Sequence, residues 1–258
     1  MSENLMNPCL IRVSGVRSLR YVLFPSWSGP LVKGDRQQSS ASVIKIFILS
    51  TAYEMAEKGE LDLDEKVRVK HKDMVGGAGV LNGRAGEPVL SIRELLRLMI
   101  TESDNTATNV MIDRLTFARI QDYCNTNGFT DTVLRRKMMD EKALRSGRDN
   151  LTTVRDVGEW MRRLKARKLV SPSADAAMEQ ILFAQTDTEC FPRALPQAKI
   201  AHKTGELEGL YHDAGIIYDG NKGYVLVIFS SKSANRGKTL QTMRRMTEAV
   251  NESFLSDN

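Results

Sequence analysis

Residues 198–231 read AKIAHKTGELEGLYHDAGIIYDGNKGYVLVIFSS, and this stretch decides the fold. AKIAHKTG is strand text closed by a glycine. GIIYDGNKGYVLVIFSS is a hairpin whose apolar, β-branched arms flank a turn at Asp219-Gly220-Asn221-Lys222-Gly223. A closing helix follows in TLQTMRRMTEAVNESFL. Antiparallel strands need only short turns between them, so this end of the chain is an antiparallel sheet with a helix packed on it.

Working outward, residues 9–25 (CLIRVSGVRSLRYVLFP) predict a strand, a turn near Ser14-Gly15 and a second strand. A polar stretch from Lys33 to Ala41 leads into VIKIFILSTAYEMAEKGE, apolar on more than one face, which predicts a buried helix from near Ser42 to Gly59. The middle of the chain is helical text. Glycine-rich VGGAGVLNGRAGEP is a loop, Ser91 and Glu94 form a capping box ahead of ELLRLMIT, and TATNVMIDRL and FARIQDYCNTNG are further helices. Thr152 or Thr153 is placed to cap VRDVGEWMRRLKAR, and Ser173 to cap ADAAMEQILFAQ. Early strands that pair with late ones make one sheet flanked by the first and last helices, with an all-helical insertion between them. The expected class is α+β: residues 1–58 and 186–258 form the sheet lobe, residues 59–185 the helical lobe.

The 258 residues are enough to bury a sizeable core, and 41% hydrophobic with 27% charged residues describes an ordinary globular protein. The net charge of +5 is spread over short clusters with no aromatic interleaving, which argues against nucleic acid and for anionic small ligands. Cys9, Cys124 and Cys190 are odd in number and lack a Cys-x-x-Cys, and His71, His202 and His212 have no ligand spacing, so neither a disulfide framework nor a metal site is implied. No apolar run approaches the roughly 18 residues of a membrane span, and no leader is visible as written. The expectation is a monomer without metal or organic cofactor; the compartment is left open.

Three short motifs remain. Ser42-Val43-Ile44-Lys45 puts a hydroxyl and an amine one helical turn apart, in text apolar enough to bury the lysine and lower its pKa, so that a neutral amine can activate the serine. Ser103-Asp104-Asn105 interrupts two helices, offering a second hydroxyl as proton shuttle (Ser103), a residue that ties the turn together (Asp104) and an amide that can grip a substrate amide (Asn105). Lys203-Thr204-Gly205 pairs a cation with a hydroxyl for a substrate carboxylate, Gly205 allows close backbone approach, and the N–H of Glu206 can join that of Ser42 as an oxyanion hole. Each motif alone also fits a plain reading: a helix cap, a turn and an edge strand. There is no G-x-S-x-G elbow and no H-E-x-x-H. Lys232 stands where a phosphate loop ending in Gly237-Lys238-Thr239 would need its first glycine. His202 and His212 read as strand neighbours, and Met55, Met111, Met161 and Met178 as core.

In this order the three motifs resemble those of the penicillin-recognising serine hydrolases, and most closely the class A β-lactamases, with stretches such as ITESDNTATNVMIDRL and KTGELEG especially similar. The resemblance covers nearly the whole chain. It implies an antiparallel sheet with terminal helices beside an all-helical lobe, the site at their junction, and a periplasmic or secreted setting. It implies that Ser42 is acylated by a β-lactam or a D-Ala-D-Ala-like peptide. Lys45 and Ser103 would then manage protons, while Asn105, Lys203, Thr204, Gly205 and Glu206 hold the substrate.

One departure from that family stands out. Class A β-lactamases carry a loop glutamate, in an E-x-x-L-N setting, that activates the deacylating water. Aligning Arg136 and Thr152-Thr153 with the ends of that loop, without gaps, puts Met138 at its place. A shifted register matches Glu141-Lys142-Ala143-Leu144-Arg145 instead, and Asp140 is a third candidate. With Glu141 as the base the chain hydrolyses β-lactams. Without a base it behaves as a penicillin-binding DD-peptidase, an esterase-like enzyme or a slow-deacylating sensor.

Overall fold

The computed structural model describes residues 16–24, 31–32, 34–220 and 222–256. In chain order the elements are β1 (Val16–Phe24), β2 (Leu31–Val32), β3 (Gln38–Ser39), α1 (Lys45–Glu57), β4 (Lys66–Arg68), β5 (Val89–Ser91), α2 (Ile92–Thr101), α3 (Asn105–Leu115) and α4 (Phe117–Thr126). There follow α5 (Glu141–Arg145), β6 (Leu151–Thr152), α6 (Val154–Lys165), α7 (Pro172–Phe183), α8 (Phe191–Ala194), β7 (Lys199–Leu207), β8 (Leu210–Asp219), β9 (Lys222–Ser233) and α9 (Arg236–Ser256). The main sheet runs β2-β1-β9-β8-β7, antiparallel throughout, so the early strand does pair with the late hairpin. The hairpin closes on the pair Asp219↔Lys222, a tighter turn than the five residues expected, with Gly220 at φ 59 supplying the left-handed step. Asn221 and the expected strand before Ser14-Gly15 lie outside the described residues.

The sheet is covered on both faces. α9 and α8 pack on one, around Phe191, Ile217, Tyr224, Leu226, Ile228, Met243 and Met246. The other faces the larger core, built on α1. Lys45 through Tyr53 are buried without a break, the expected outcome for a helix apolar all round. Phe47 meets Phe129 edge to face at 5.2 Å, and the Trp160 indole N–H donates to Ser50 Oγ at 3.0 Å. Met111, Met161 and Met178 are core, and Met55 packs against it half-buried.

Local signals act largely where expected. Ser91 and Glu94 form the reciprocal capping box of α2, Thr153 caps α6, and α4 stops before Gly128, which sits at φ 80. The cap of α7 is a correction: Ser171, not Ser173, accepts from Ala174 N, because Pro172 pre-sets the first helical φ and moves the start two residues upstream. Residues 134–152, charged and without periodicity in the sequence, contain α5 and β6, neither of which was foreseen. No helix among the described residues is long and apolar enough to cross a membrane.

Candidate active site

Residues Ala41–Ile44 form one turn of 3₁₀ helix that runs directly into α1. Ala41 is held left-handed at φ 43, and Ser40 ties the turn to the 150 region through its N–H and Oγ, both donating to Asn150 O at 2.9 and 3.0 Å. Ser42 is half-buried and lines a cleft of about 310 Å³. β7 presses on this turn at Gly205, where a Cβ would lie 3.1 Å from Val43 Cγ2 and 3.2 Å from Ser40 O. The glycine of the third motif therefore makes room for the turn that carries Ser42, which brings the β7 backbone at Glu206 alongside it.

Lys45 is completely buried. Its Nζ donates to Ser103 O (2.6 Å), Asn105 Oδ1 (3.0 Å) and Ser103 Oγ (3.1 Å); among the described residues none of its hydrogen bonds goes to Ser42. Lys203, equally buried, donates to the same Ser103 Oγ at 3.0 Å and to Thr204 O at 2.8 Å. Two lysines thus converge on one hydroxyl. Burial, then the neighbouring Lys203 charge, hold the Lys45 pKa well below the ordinary lysine range, against the opposing pull of Asp104. Burial lowers Lys203 to about 8, with Asp187 and Asp213 pulling it back up. A neutral Lys45 keeps two N–H groups for Ser103 O and Asn105 Oδ1, which leaves its lone pair toward Ser103 Oγ.

Ser103 itself sits at φ 51, and Asp104 is the N-cap of α3. The Asp104 carboxylate accepts from Ala107 N (2.8 Å), Val80 N (2.6 Å) and Leu81 N (2.8 Å), so it fastens the glycine-rich loop to the helix start. Asn105 Nδ2 donates to Gly76 O at 3.1 Å, which uses one of its two N–H groups.

The opposite wall comes from residues 136–150. Met138 is buried, lines the cleft, and is pinned by Asn109: Met138 N donates to Asn109 Oδ1 (2.7 Å), and Asn109 Nδ2 donates to Met138 O (3.1 Å). Asn109 escaped the sequence reading, although it stands four residues beyond Asn105 on the same face of α3. Asp140 caps α5 through Ala143 N at 2.9 Å. Glu141 lines the cleft with an exposed carboxylate paired to Arg145 at 3.0 Å. Asn150, also unforeseen, accepts from Arg135 N and Arg136 N and donates to Arg136 O. On the β7 side Glu206 lines the cleft and pairs with Arg236, which also binds Glu189 at 2.6 Å.

The beta-lactamase enzyme family matches residues 25–254. The chain belongs to that family. It is a family of hydrolases, and the fold is the β-lactamase/transpeptidase-like one. The β-lactamase from Sphaerobacter thermophilus DSM 20745 superposes with a TM-score of 0.87 at 26% identity, covering 92% of this chain and 91% of that one. PBP-A gives 0.86 at 27% identity over 95% and 92% of the two chains. A point mutant of PBP-A, in an acyl-enzyme complex with penicillin G, gives 0.84 at 27% over 93% and 90%. β-Lactamase BRO-1 of Moraxella catarrhalis is 36% identical over 84 residues, and that match spans 32% of this chain and only 27% of BRO-1.

Proposed function

We propose that this member of the family is a serine hydrolase of class A type, acylated at Ser42 by a β-lactam or a D-Ala-D-Ala-like peptide. The observation that carries the reading is the convergence of two buried lysines on Ser103 Oγ, beside a serine held at a helix start. Neutral Lys45 takes the Ser42 proton as Oγ attacks the carbonyl carbon. The amide C–N bond then breaks, its nitrogen takes the Ser103 proton, and Lys45 returns a proton to Ser103 across their 3.1 Å contact. Hydrogen bonds of this kind lengthen in unliganded enzymes and tighten when substrate seats, which reconciles the role of Lys45 with its present partners. Lys203 and Thr204 hold the substrate carboxylate, Asn105 the side-chain amide, and the N–H groups of Ser42 and Glu206 the developing oxyanion. All these groups come from one chain, which supports action as a monomer.

A second reading concerns turnover. Met138 occupies the cleft wall and a thioether cannot deprotonate water, Asp140 is committed to capping α5, and Glu141 is paired to Arg145. These three observations favour slow deacylation, as in a penicillin-binding peptidase, over rapid β-lactam hydrolysis. The test is intact mass against time with a small excess of benzylpenicillin, in wild type and Ser42→Ala. An adduct in wild type alone supports acylation at Ser42; labelling that survives the substitution overturns it. Persistence for hours supports the peptidase-like reading, and decay with accumulating penicilloate supports β-lactamase turnover with Glu141 as the first candidate base.

A further inference from the structure

A second cleft, of about 490 Å³, runs along the free edge of β7 between α7 and α8, and it shares no lining residue with the cleft that holds Ser42. Phe183, Pro192, Ala198 and Ile200 give it apolar walls, and the exposed Lys199 adds a cation. His202 lines it as well. Side chains alternate along a strand. Ala201 enters the larger core and Lys203 the Ser42 site, which puts Ile200 and His202 on the other face of β7.

His202 is the unusual member of this wall, because its side chain is only 2% exposed and one of its ring nitrogens is unused. Asp213, completely buried on β8, lies 2.9 Å from Nδ1 through Oδ1, while its Oδ2 accepts from Phe191 N at 3.1 Å. A carboxylate only accepts, so Nδ1 donates. The sheet gives up a side chain to allow this contact: a Cβ on Gly215, the residue paired with His202, would lie 2.7 Å from His202 Cβ. A buried carboxylate that fixes the tautomer and orientation of an imidazole is how proteins present its other nitrogen to a partner. Nε2 has no hydrogen-bond partner among the described residues. With Asp213 inward on β8, the ring turns Nε2 outward to the free edge of β7, where the cleft lies.

From this arrangement we infer that the cleft behind β7 is a second binding site, for a small carboxylate with an aromatic or alkyl body. The carboxylate meets His202 Nε2 and the Lys199 ammonium, and the body lies against Phe183, Pro192 and Ile200. Opposite a carboxylate Nε2 carries a proton and donates, a proton that histidine takes up from solvent near neutral pH. Lys199 and His202 are the ionisable residues of the wall, and none of the described residues that line it is acidic. A cationic ligand would therefore meet Lys199 with no carboxylate to pair with, and an uncharged one would forgo the charge-assisted bonds. The volume falls in the range of small-molecule sites, and the net charge of +5 favours the same sign of ligand. Nothing in this depends on how Ser42 reacts.

The experiment titrates the full chain with 2-naphthoate, with 2-naphthamide as its uncharged counterpart and 2-naphthylmethylamine as its cationic one. Calorimetry gives the dissociation constants. Replacing His202 would strand Asp213 inside the sheet, so the ring is read in place, by NMR of protein carrying ¹⁵N-labelled histidine. Naphthoate is expected to bind at least about tenfold more tightly than either counterpart, and to shift the His202 ring nitrogens as it saturates. Lys199→Glu, at an exposed position, should weaken naphthoate by about threefold or more and leave the amide unaffected. A dipeptide ending in phenylalanine, run beside naphthoate, distinguishes a chain terminus from a free acid as the source of the carboxylate, and tighter binding of either keeps the shared chemistry. Equal affinity for the three naphthyl probes overturns the inference, as does a naphthoate affinity untouched by Lys199→Glu. Binding that leaves the His202 ring nitrogens unmoved belongs to the Ser42 cleft and overturns it too.

Discussion

Replacing Lys45 by methionine separates what this residue does for chemistry from what it does for the fold. Its Nζ lies within hydrogen-bond distance of three oxygens, at 2.6, 3.0 and 3.1 Å, inside a fully buried site, with Lys203 close enough to depress its pKa further. As a positioned base it should contribute about 10²–10⁴-fold to acylation. At 1.36 kcal/mol per decade that is about 2.7–5.5 kcal/mol of barrier. The effect on stability should be much smaller, because two contributions oppose. Ser103 O and Asn105 Oδ1 lose a donor, but the penalty of burying a titratable amine disappears with it. At pH 7 the expected shift in Tm is within about 5 °C, on the order of 1–2 kcal/mol for a chain of this size.

The pH dependence supplies the sign. The folded pKa of Lys45 lies below the unfolded one, so between the two the unfolded chain binds more protons and stability rises with pH. Wild type should therefore gain stability from pH 7 toward 10, and Lys45→Met should lose part of that slope, leaving the share due to Lys203. Stopped acylation followed by intact mass, with thermal unfolding at pH 7 and pH 9, measures both. An acylation rate within about threefold of wild type would remove Lys45 from the chemistry. A variant that unfolds more than about 10 °C lower would show a residue retained for the fold.

Three further outcomes follow from the geometry. Lys203 falls to about 8, so its charge fades as pH rises through that value, and KM for a carboxylate substrate should climb above pH 8; Lys203→Arg, which stays charged, should move that limb upward, and an unshifted limb would assign it elsewhere. Met138→Glu puts a carboxylate on the cleft wall where the thioether stands, and should shorten the lifetime of the benzylpenicillin adduct by at least about tenfold with acylation retained; an unchanged lifetime would show that the position does not face the acyl group. Gly79 sits at φ 117 with its absent Cβ only 2.3 Å from Asp104 Oδ2 and 2.5 Å from Asp104 Cα, so Gly79→Ala should lower stability by about 2–4 kcal/mol in denaturant unfolding. Gly83→Ala, with open space around its Cβ, is the silent control.

Much of the fold was legible because its signals are local. The hairpin has a turn bounded by β-branched arms, α1 is apolar all round, and Ser91 with Glu94 announces a helix start by the spacing of two side chains. Where the reading slipped, a competing local rule won or the determinant was distant. Pro172 overrode Ser173 as the start of α7. α5 is five residues long and starts on a cap at Asp140, inside text too charged and short to carry periodicity. β6 pairs with β3 across more than a hundred residues and bridges to Val133 on its other side, partners that its two residues do not announce. The candidate site divides in the same way. Lys45 and Ser42 are adjacent in sequence and could be read together. That Lys45 would spend its hydrogen bonds 58 residues away, on Ser103, and that Lys203 would meet the same hydroxyl from 100 residues away, follows from how the sheet docks on the helices. Asn109 and Asn150 were silent because a buried amide that braces a loop looks like any polar residue until its partners are known.

Backbone strain is the part of the site that no residue type announced. Six non-glycine residues among those described have positive φ, and three of them, Ala41, Ser103 and Met139, surround the cleft. Alanine, serine and methionine have no particular taste for that region, so local propensity and global fold disagree at all three. Each disagreement is held by a tie already in place. The Ser40 bonds to Asn150 hold the first, the double lysine contact with Ser103 the second, and the Glu141 N–H on the Met139 carbonyl the third. A conformation that costs on the order of 1–3 kcal/mol per residue survives only where such ties over-determine it. Relaxing any one of the three would rotate the turn that carries Ser42, the shared hydroxyl or the Met139 side chain out of place. The geometry of this site is thus maintained against local preference by long-range hydrogen bonds, and for that reason it is more sensitive to the residues behind it than to the cleft surface itself.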